Sequence, residues 1–182
     1  MAIIVEQVHR LTVDEYLRVA EGDPAWDGTE LIEGVVYDVT PESALHAEAV
    51  NTVRRLLEDV FPQQRVRDVG SVRLADDSLW NPDVYVAPAA APLPKYPSAA
   101  DLRLVVEVSV NSYRRDIDAK ARGYAASIVP EYWLLVPDVG GHLLRHTKPD
   151  GARYTSVERV EFPRGFEQLN VGTLFPDGTP DG

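Results

Sequence analysis

The apolar positions of this chain change period several times along its length, and each change marks a new element. Thr12-Val13-Asp14-Glu15 has the spacing of a capping box, in which Thr12 accepts from a free N–H while Glu15 reaches back. It predicts a short helix to about Ala20, broken by Gly22-Asp23-Pro24. Two short strands, Glu30-Leu31-Ile32 and Val35-Val36-Tyr37, are expected around a tight Glu33-Gly34 turn. From Ser43 to Val60, the positions Leu45, Ala49, Val53, Leu56 and Val60 recur at spacings of three and four. That is an amphipathic helix, ended by Phe61-Pro62.

Val66 to Leu74 and Leu79 to Val86 read as a strand pair joined by Ala75-Asp76-Asp77-Ser78. Ala87 to Ala100, rich in proline and alanine, reads as an excursion loop within one domain. The run Leu102-Arg103-Leu104-Val105-Val106-Glu107-Val108 is the most strand-like of all and belongs at the centre of a sheet. A helix from Arg114 to about Ser127 and a strand from Glu131 to Val136 follow. Strand, helix, strand in that order implies a right-handed crossover and a parallel pair. Short antiparallel strands are expected next, then a disordered tail from Pro176 to Gly182. The expected fold is α/β, a mixed β-sheet core flanked by helices, in a single domain over residues 1–175.

Composition narrows the chemistry. The 182 residues suffice for one sizeable core, and 45% hydrophobic with 26% charged residues is a globular mixture. There is no cysteine, which excludes disulfides, thiolate metal sites and a cysteine nucleophile and suits a reducing cytoplasm. Lys+Arg 18 against Asp+Glu 29 leaves a net charge of −11. That balance disfavours broad adhesion to nucleic acid but leaves room for a small site that handles phosphate through a metal. No apolar run approaches the ~20 residues of a membrane span, and the opening lacks the pattern of a signal peptide. A soluble, cytoplasmic protein with no membrane partner is expected.

Three residues stand out. Glu107 lies within a strongly apolar strand, where a carboxylate is costly unless paired or bound to metal; the alternative is a face open to water. Asp83 follows Asn81-Pro82 at the start of a strand-like run, which is also ordinary turn chemistry. Together the two carboxylates offer hard oxygen ligands suited to Mg²⁺ or Mn²⁺. Lys120 falls on or beside the helix stripe of Ile117, Ala121, Tyr124 and Ile128, an odd place for an ammonium without an anionic partner. A helix pair with Asp116, or outward snorkelling, is the plainer account. His142 and His146 are four apart in a strand-like stretch without the His-Glu-x-x-His zinc pattern, and His9 is expected to be exposed.

Asp83 in Pro-Asp, Glu107 in Val-Val-Glu-Val-Ser, and Asp116-Ile117-Asp118-Ala119-Lys120 followed by Tyr124 resemble the Uma-type family of restriction-endonuclease-like proteins, within the PD-(D/E)XK nuclease superfamily. Leu11 to Leu17, Glu30-Leu31-Ile32-Glu33-Gly34, His46 and Pro130-Glu131-Tyr132-Trp133 are similar to further motifs of that family, so the likeness runs from Leu11 to Val136. It implies a restriction-endonuclease-like core in which Asp83 and Glu107 ligate Mg²⁺. It also implies that Lys120 replaces the lysine usual two residues after the glutamate, where this chain has Ser109. Glu30 is the implied additional acidic residue and His46 a neighbour. The chain departs from the family's Ser-Pro-Ser with Ser109-Val110-Asn111-Ser112.

These residues suit hydrolysis of a DNA phosphodiester. A metal held by Asp83, Glu107 and the Val108 carbonyl would acidify a water and neutralise phosphate charge, with Lys120 orienting the water or offsetting that charge. Arg65, Arg67, Arg73, Arg114, Arg115 and Arg122 are the expected basic rim, and a homodimer would bring two centres to two strands. The competing reading is a catalytically inactive interaction or assembly protein that keeps the fold.

Overall fold

A computed structural model describes residues 9–39, 43–89, 92–110, 119–138, 141–162, 165–166 and 169–175. The Thr12 capping box forms as its spacing predicts: Glu15 N–H donates to Thr12 Oγ1 at 3.2 Å, and Thr12 N–H to Glu15 Oε2 at 2.9 Å. It opens α1 (Val13–Ala20). Strands β1 (Thr29–Ile32) and β2 (Val35–Asp38) make the expected hairpin. Glu33 (φ 49°) and Gly34 (φ 77°) both take left-handed backbone, the turn that matches strand twist.

Helix α2 (Ala44–Val60) starts at Ser43, whose hydroxyl accepts the His46 N–H at 3.2 Å. Its buried stripe is Ala49, Val53, Leu57 and Val60, so Leu57 takes the place expected of Leu56, which is only partly buried. Both leucines satisfy a three-or-four spacing after Val53. Packing on the sheet, which periodicity alone does not see, chooses between them.

The remaining strands are β3 (Gln64–Arg67), β4 (Val72–Ala75), β5 (Ser78–Trp80), β6 (Val84–Pro88), β7 (Leu104–Val108), β8 (Glu131–Val136), β9 (Gly141–Pro149) and β10 (Tyr154–Phe162). They fall into two sheets among the described residues, a four-stranded β2-β1-β5-β4 and a six-stranded β10-β9-β8-β7-β6-β3. The two strands expected over Val66–Leu74 and Leu79–Val86 are therefore both divided, the second into β5 of the smaller sheet and β6 of the larger. Gly70, at φ 113°, lies between β3, which pairs with β6, and β4, which pairs with β5 in the smaller sheet. Strand β7 is interior to the larger sheet and parallel to β8, as its sequence suggests. The closing strands are a nine-residue hairpin, longer than expected.

Of the helix expected from Arg114, residues 111–118 lie outside the described ones; the rest is α3 (Ala121–Ala126). Ile128 leaves the predicted stripe: it sits past the helix end at φ 58°, half-exposed. A last turn, α4 (Val171–Leu174), is tied to the sheet by Arg145, which donates to the Leu174 carbonyl at 3.0 Å. The tail at 176–182 also lies outside the described residues.

Side-chain alternation gives the larger sheet two dry faces. Val84, Leu104, Val106 and Trp133 face α2, while Tyr85, Val105, Tyr132 and Leu134 pack with Tyr124 of α3 and Trp80 of β5. The smaller sheet's far side, with Leu31 and Leu79, is covered by Val13 and Tyr16 of α1. No helix among the described residues is long and apolar enough to cross a membrane. If the sheet selects Leu57, Leu57→Ala should lose about 2–5 kcal/mol in denaturant unfolding and Leu56→Ala much less. Equal losses would show that the stripe is misassigned.

Candidate active site

The antiparallel register of β6 and β7 pairs Val84 with Val106 and Tyr85 with Val105. One further step sets Asp83, just ahead of β6, across from Glu107. Alternation turns Glu107 to the same side as Val105, under α3 and the smaller sheet. That face is dry: Glu107 is 3% exposed, and Ser109 beyond it is buried with a hydroxyl that finds no partner.

Each carboxylate is held from several sides. Asp83 Oδ2 accepts the Val108 N–H at 2.6 Å and lies 3.2 Å from His46 Nε2, on the first turn of α2. Glu107 Oε2 is 2.7 Å from Lys120 Nζ, while its Oε1 accepts the Tyr124 hydroxyl at 2.6 Å. Lys120, on the turn that leads into α3, is 8% exposed. Its partner is thus Glu107, and the ammonium does not snorkel outward. Glu30 on β1 is buried as well, and its Oε2 accepts the Asn81 N–H at 3.4 Å. Glu30 acts on Lys120 through its charge. The five side chains singled out in the sequence therefore converge: His46 on Asp83, Asp83 opposite Glu107, Glu107 on Lys120, and Glu30 within electrostatic reach.

Burial drives the electrostatics. Desolvation pushes the Glu107 carboxyl up to about 8; the Lys120 charge pulls it down and the Asp83 charge adds to the rise. For Lys120, burial alone favours the neutral amine, yet the charges of Glu107, Glu30 and Asp83 prevail and hold it protonated above the ordinary lysine range. The two shifts pull against each other, since a strongly stabilised ammonium needs an ionised Glu107. The upward direction prevails for Glu107, because its carboxyl is almost wholly out of water while three carboxylates share one lysine. Tyr124 is likewise pushed far up, by burial first and then by Glu107.

That surplus of acid over base suits a divalent cation. Among the described residues, however, no group of three or more His, Cys, Asp or Glu side chains is placed to hold a metal. The donor set is the sparse one that Mg²⁺ accepts, one or two carboxylates with water and substrate phosphate completing the octahedron. Asp83 and Glu107 fit it as hard oxygen donors.

Two contributors escaped the sequence reading. Tyr124 stands in the helix stripe and in the family motif, but the sequence assigns it no chemical role; a tyrosine four after a buried lysine was the available signal. Asn81 holds Glu30 by its N–H and the Thr29 carbonyl by its side chain at 3.0 Å; its place beside Pro82-Asp83 was the hint. The expected basic rim needs correction. Arg73 is committed to Asp14 at 2.9 Å and Asp76 at 3.2 Å, so its charge is locally neutralised. Arg65 donates to the Ala89 carbonyl at 3.1 Å, Arg122 is exposed on α3, and Arg114 and Arg115 lie outside the described residues. His142 and His146 lie on β9, and burial lowers the pKa of both.

The sequence pattern of the Uma2 family, described as "Putative restriction endonuclease", matches residues 13–179. The chain belongs to the Uma2 family. Its fold is also that of a solved structure described as "a putative nuclease belonging to DUF820 from Anabaena variabilis ATCC 29413". The two superpose with a TM-score of 0.65 at 17% identity, over 84% of this chain and 86% of the other. No curated protein matches the chain. The Uma2 match extends past Val136 to take in the β9–β10 hairpin, beyond the motifs legible in the sequence.

An acid whose pKa is raised by folding favours the folded state below its unfolded value and loses that contribution as pH climbs toward the folded one. Relative to Glu107→Gln, the metal-free wild type should therefore lose Tm between about pH 5 and the folded value of about 8, then run parallel. Melting curves that stay parallel throughout would mean that Glu107 titrates normally.

Proposed function

We propose that this Uma2 protein is a metal-dependent endonuclease of the PD-(D/E)XK type that hydrolyses DNA phosphodiester bonds. The observation that carries this reading is the buried Glu107, opposite Asp83 and 2.7 Å from the Lys120 ammonium. Family membership supports a nuclease-like role, and the fold shared with the Anabaena protein is compatible with it.

In this reading Asp83, Glu107 and the Val108 carbonyl hold Mg²⁺ or Mn²⁺, which when bound acidifies water and neutralises phosphate charge. The Val108 N–H fixes the Asp83 carboxylate, and His46 steadies it from the helix side. Lys120 keeps its proton, so it serves as an oriented cation: it positions the attacking water or offsets charge growing on the phosphate oxygens. Tyr124 holds the other Glu107 oxygen and leaves Oε2 to the lysine. Glu30 adds negative charge that keeps Lys120 protonated. Water adds to phosphorus, the bond to the leaving nucleoside oxygen breaks, and that oxygen takes up a proton. A homodimer, with one centre for each strand, is part of the proposal.

The rival, a catalytically inactive interaction or assembly protein, is favoured by one observation: both Glu107 oxygens are already engaged within the chain. Two measurements separate them. Calorimetry should detect Mg²⁺ or Mn²⁺ binding that is lost in Asp83→Ala and Glu107→Ala; binding unchanged by either favours the rival. Supercoiled plasmid should be nicked by the wild type with metal and not by Asp83→Ala. In Lys120→Ala the rate should fall by about 10²–10³-fold with metal affinity nearly intact. Wild-type rates in that variant would remove Lys120 from the mechanism.

A further inference from the structure

The metal-binding reading leaves a neighbouring cavity without a role. Its volume is about 460 Å³, within the ~300–1,000 Å³ range of small-molecule sites. Lys120 lines it, together with Tyr37, Trp80, Arg122, Gly123 and Glu33. Cavity and candidate centre thus share one side chain. They also share a face of the smaller sheet, since Tyr37 pairs directly with Glu30 across the β1–β2 hairpin.

The lining has a definite chemistry. Trp80 and Tyr37 supply aromatic surfaces on two strands of one sheet, and Tyr37 is 45% exposed although aromatic. The Trp80 ring lies so close to α3 that a Cβ on Gly123 would come within 2.1 Å of it, so bare backbone forms part of the wall. Trp80 is buried and closes the inner wall of the cavity. Arg122 and Lys120 add positive charge, and the Glu33 carboxylate adds an acceptor. The exposed Tyr37 ring, the Glu33 acceptor and the flanking cations together match a nucleobase carrying its phosphate.

We propose that this cavity receives an unpaired nucleobase of the DNA substrate and thereby sets the nucleotide beside the Asp83–Glu107–Lys120 centre. The inference rests on the nuclease reading and names its substrate class: DNA with a bulged or single-stranded base, in preference to continuous duplex. Discrimination follows from the cost of extrusion. A paired base must leave its stack before it can enter, whereas an unpaired base forgoes much less.

The probe is a duplex with one unpaired 2-aminopurine, set against the fully paired duplex of the same sequence, both without divalent metal. The wild type should bind the bulged duplex about tenfold more tightly, with quenched 2-aminopurine emission, in line with one base stacked on aromatic side chains. Tyr37→Ala removes an exposed ring. Ala152→Trp fills the cavity from the exposed turn between β9 and β10. Each should bring the two affinities within about twofold and abolish the quenching; melting curves confirm that each variant folds. Equal affinity of the wild type for both duplexes overturns the proposal whatever the variants do, as does a difference that survives both substitutions. Plasmid nicking by the wild type, with metal added, is scored separately. Nicking without a bulge preference sinks the cavity and spares the nuclease; a preference without nicking does the reverse.

Discussion

Putting the Glu107 carboxyl into a dry sheet face is the constraint around which the molecule is organised, because a charge removed from water must be met by another or be given up. Lys120 meets it at 2.7 Å from the start of α3, and Tyr124 supplies a hydrogen bond from the same helix one turn on. The helix must therefore lie over β7, and Trp80 from the second sheet closes the layer above Tyr124 with ring centroids 5.0 Å apart. Remove the need to serve Glu107, and an apolar pair of similar volume would hold these layers at least as well. The pair is thus poor evidence of stability, which is compatible with the role proposed for it.

The same arrangement bears on how an acidic protein could serve the proposed reaction. A net charge of −11 is spread over the chain, but at this spot three carboxylates act on one ammonium in a medium that screens poorly. In the proposed reading, this local excess of acid would attract a hard divalent cation, and the cation would turn a repulsive surface into a site for an anion. Arg73, expected in a basic rim for the substrate, instead ties the β4–β5 hairpin region to α1 through Asp14.

Construction from two sheets gives the site its neighbourhood. Strand β7 carries Glu107, the residue just ahead of β6 is Asp83, α2 brings His46, and the smaller sheet brings Glu30 on one side of the lysine and Tyr37 and Trp80 around the cavity. The proposed reaction centre and the proposed cavity thus share Lys120, on the turn before α3.

Local order determined much of this. The Thr12–Glu15 box, the Glu33-Gly34 turn, the β7 run and the β8 strand parallel to it follow from interactions between near neighbours or from one periodicity, and the chain carries them openly. Glu107 and Lys120 were legible because each is costly where it stands, whereas Asp83, ordinary turn chemistry by itself, stood out through its combination with Glu107 and the family resemblance. What the chain did not reveal depends on partners far away in sequence. Leu57 over Leu56, the division of Val66–Leu74 between two sheets, the burial of Ser109 and the hydroxyl of Tyr124 on Glu107 were all decided by packing across layers. A side chain's spacing sets which face it can occupy; only the assembled layers decide whether that face meets water, apolar surface or a charge.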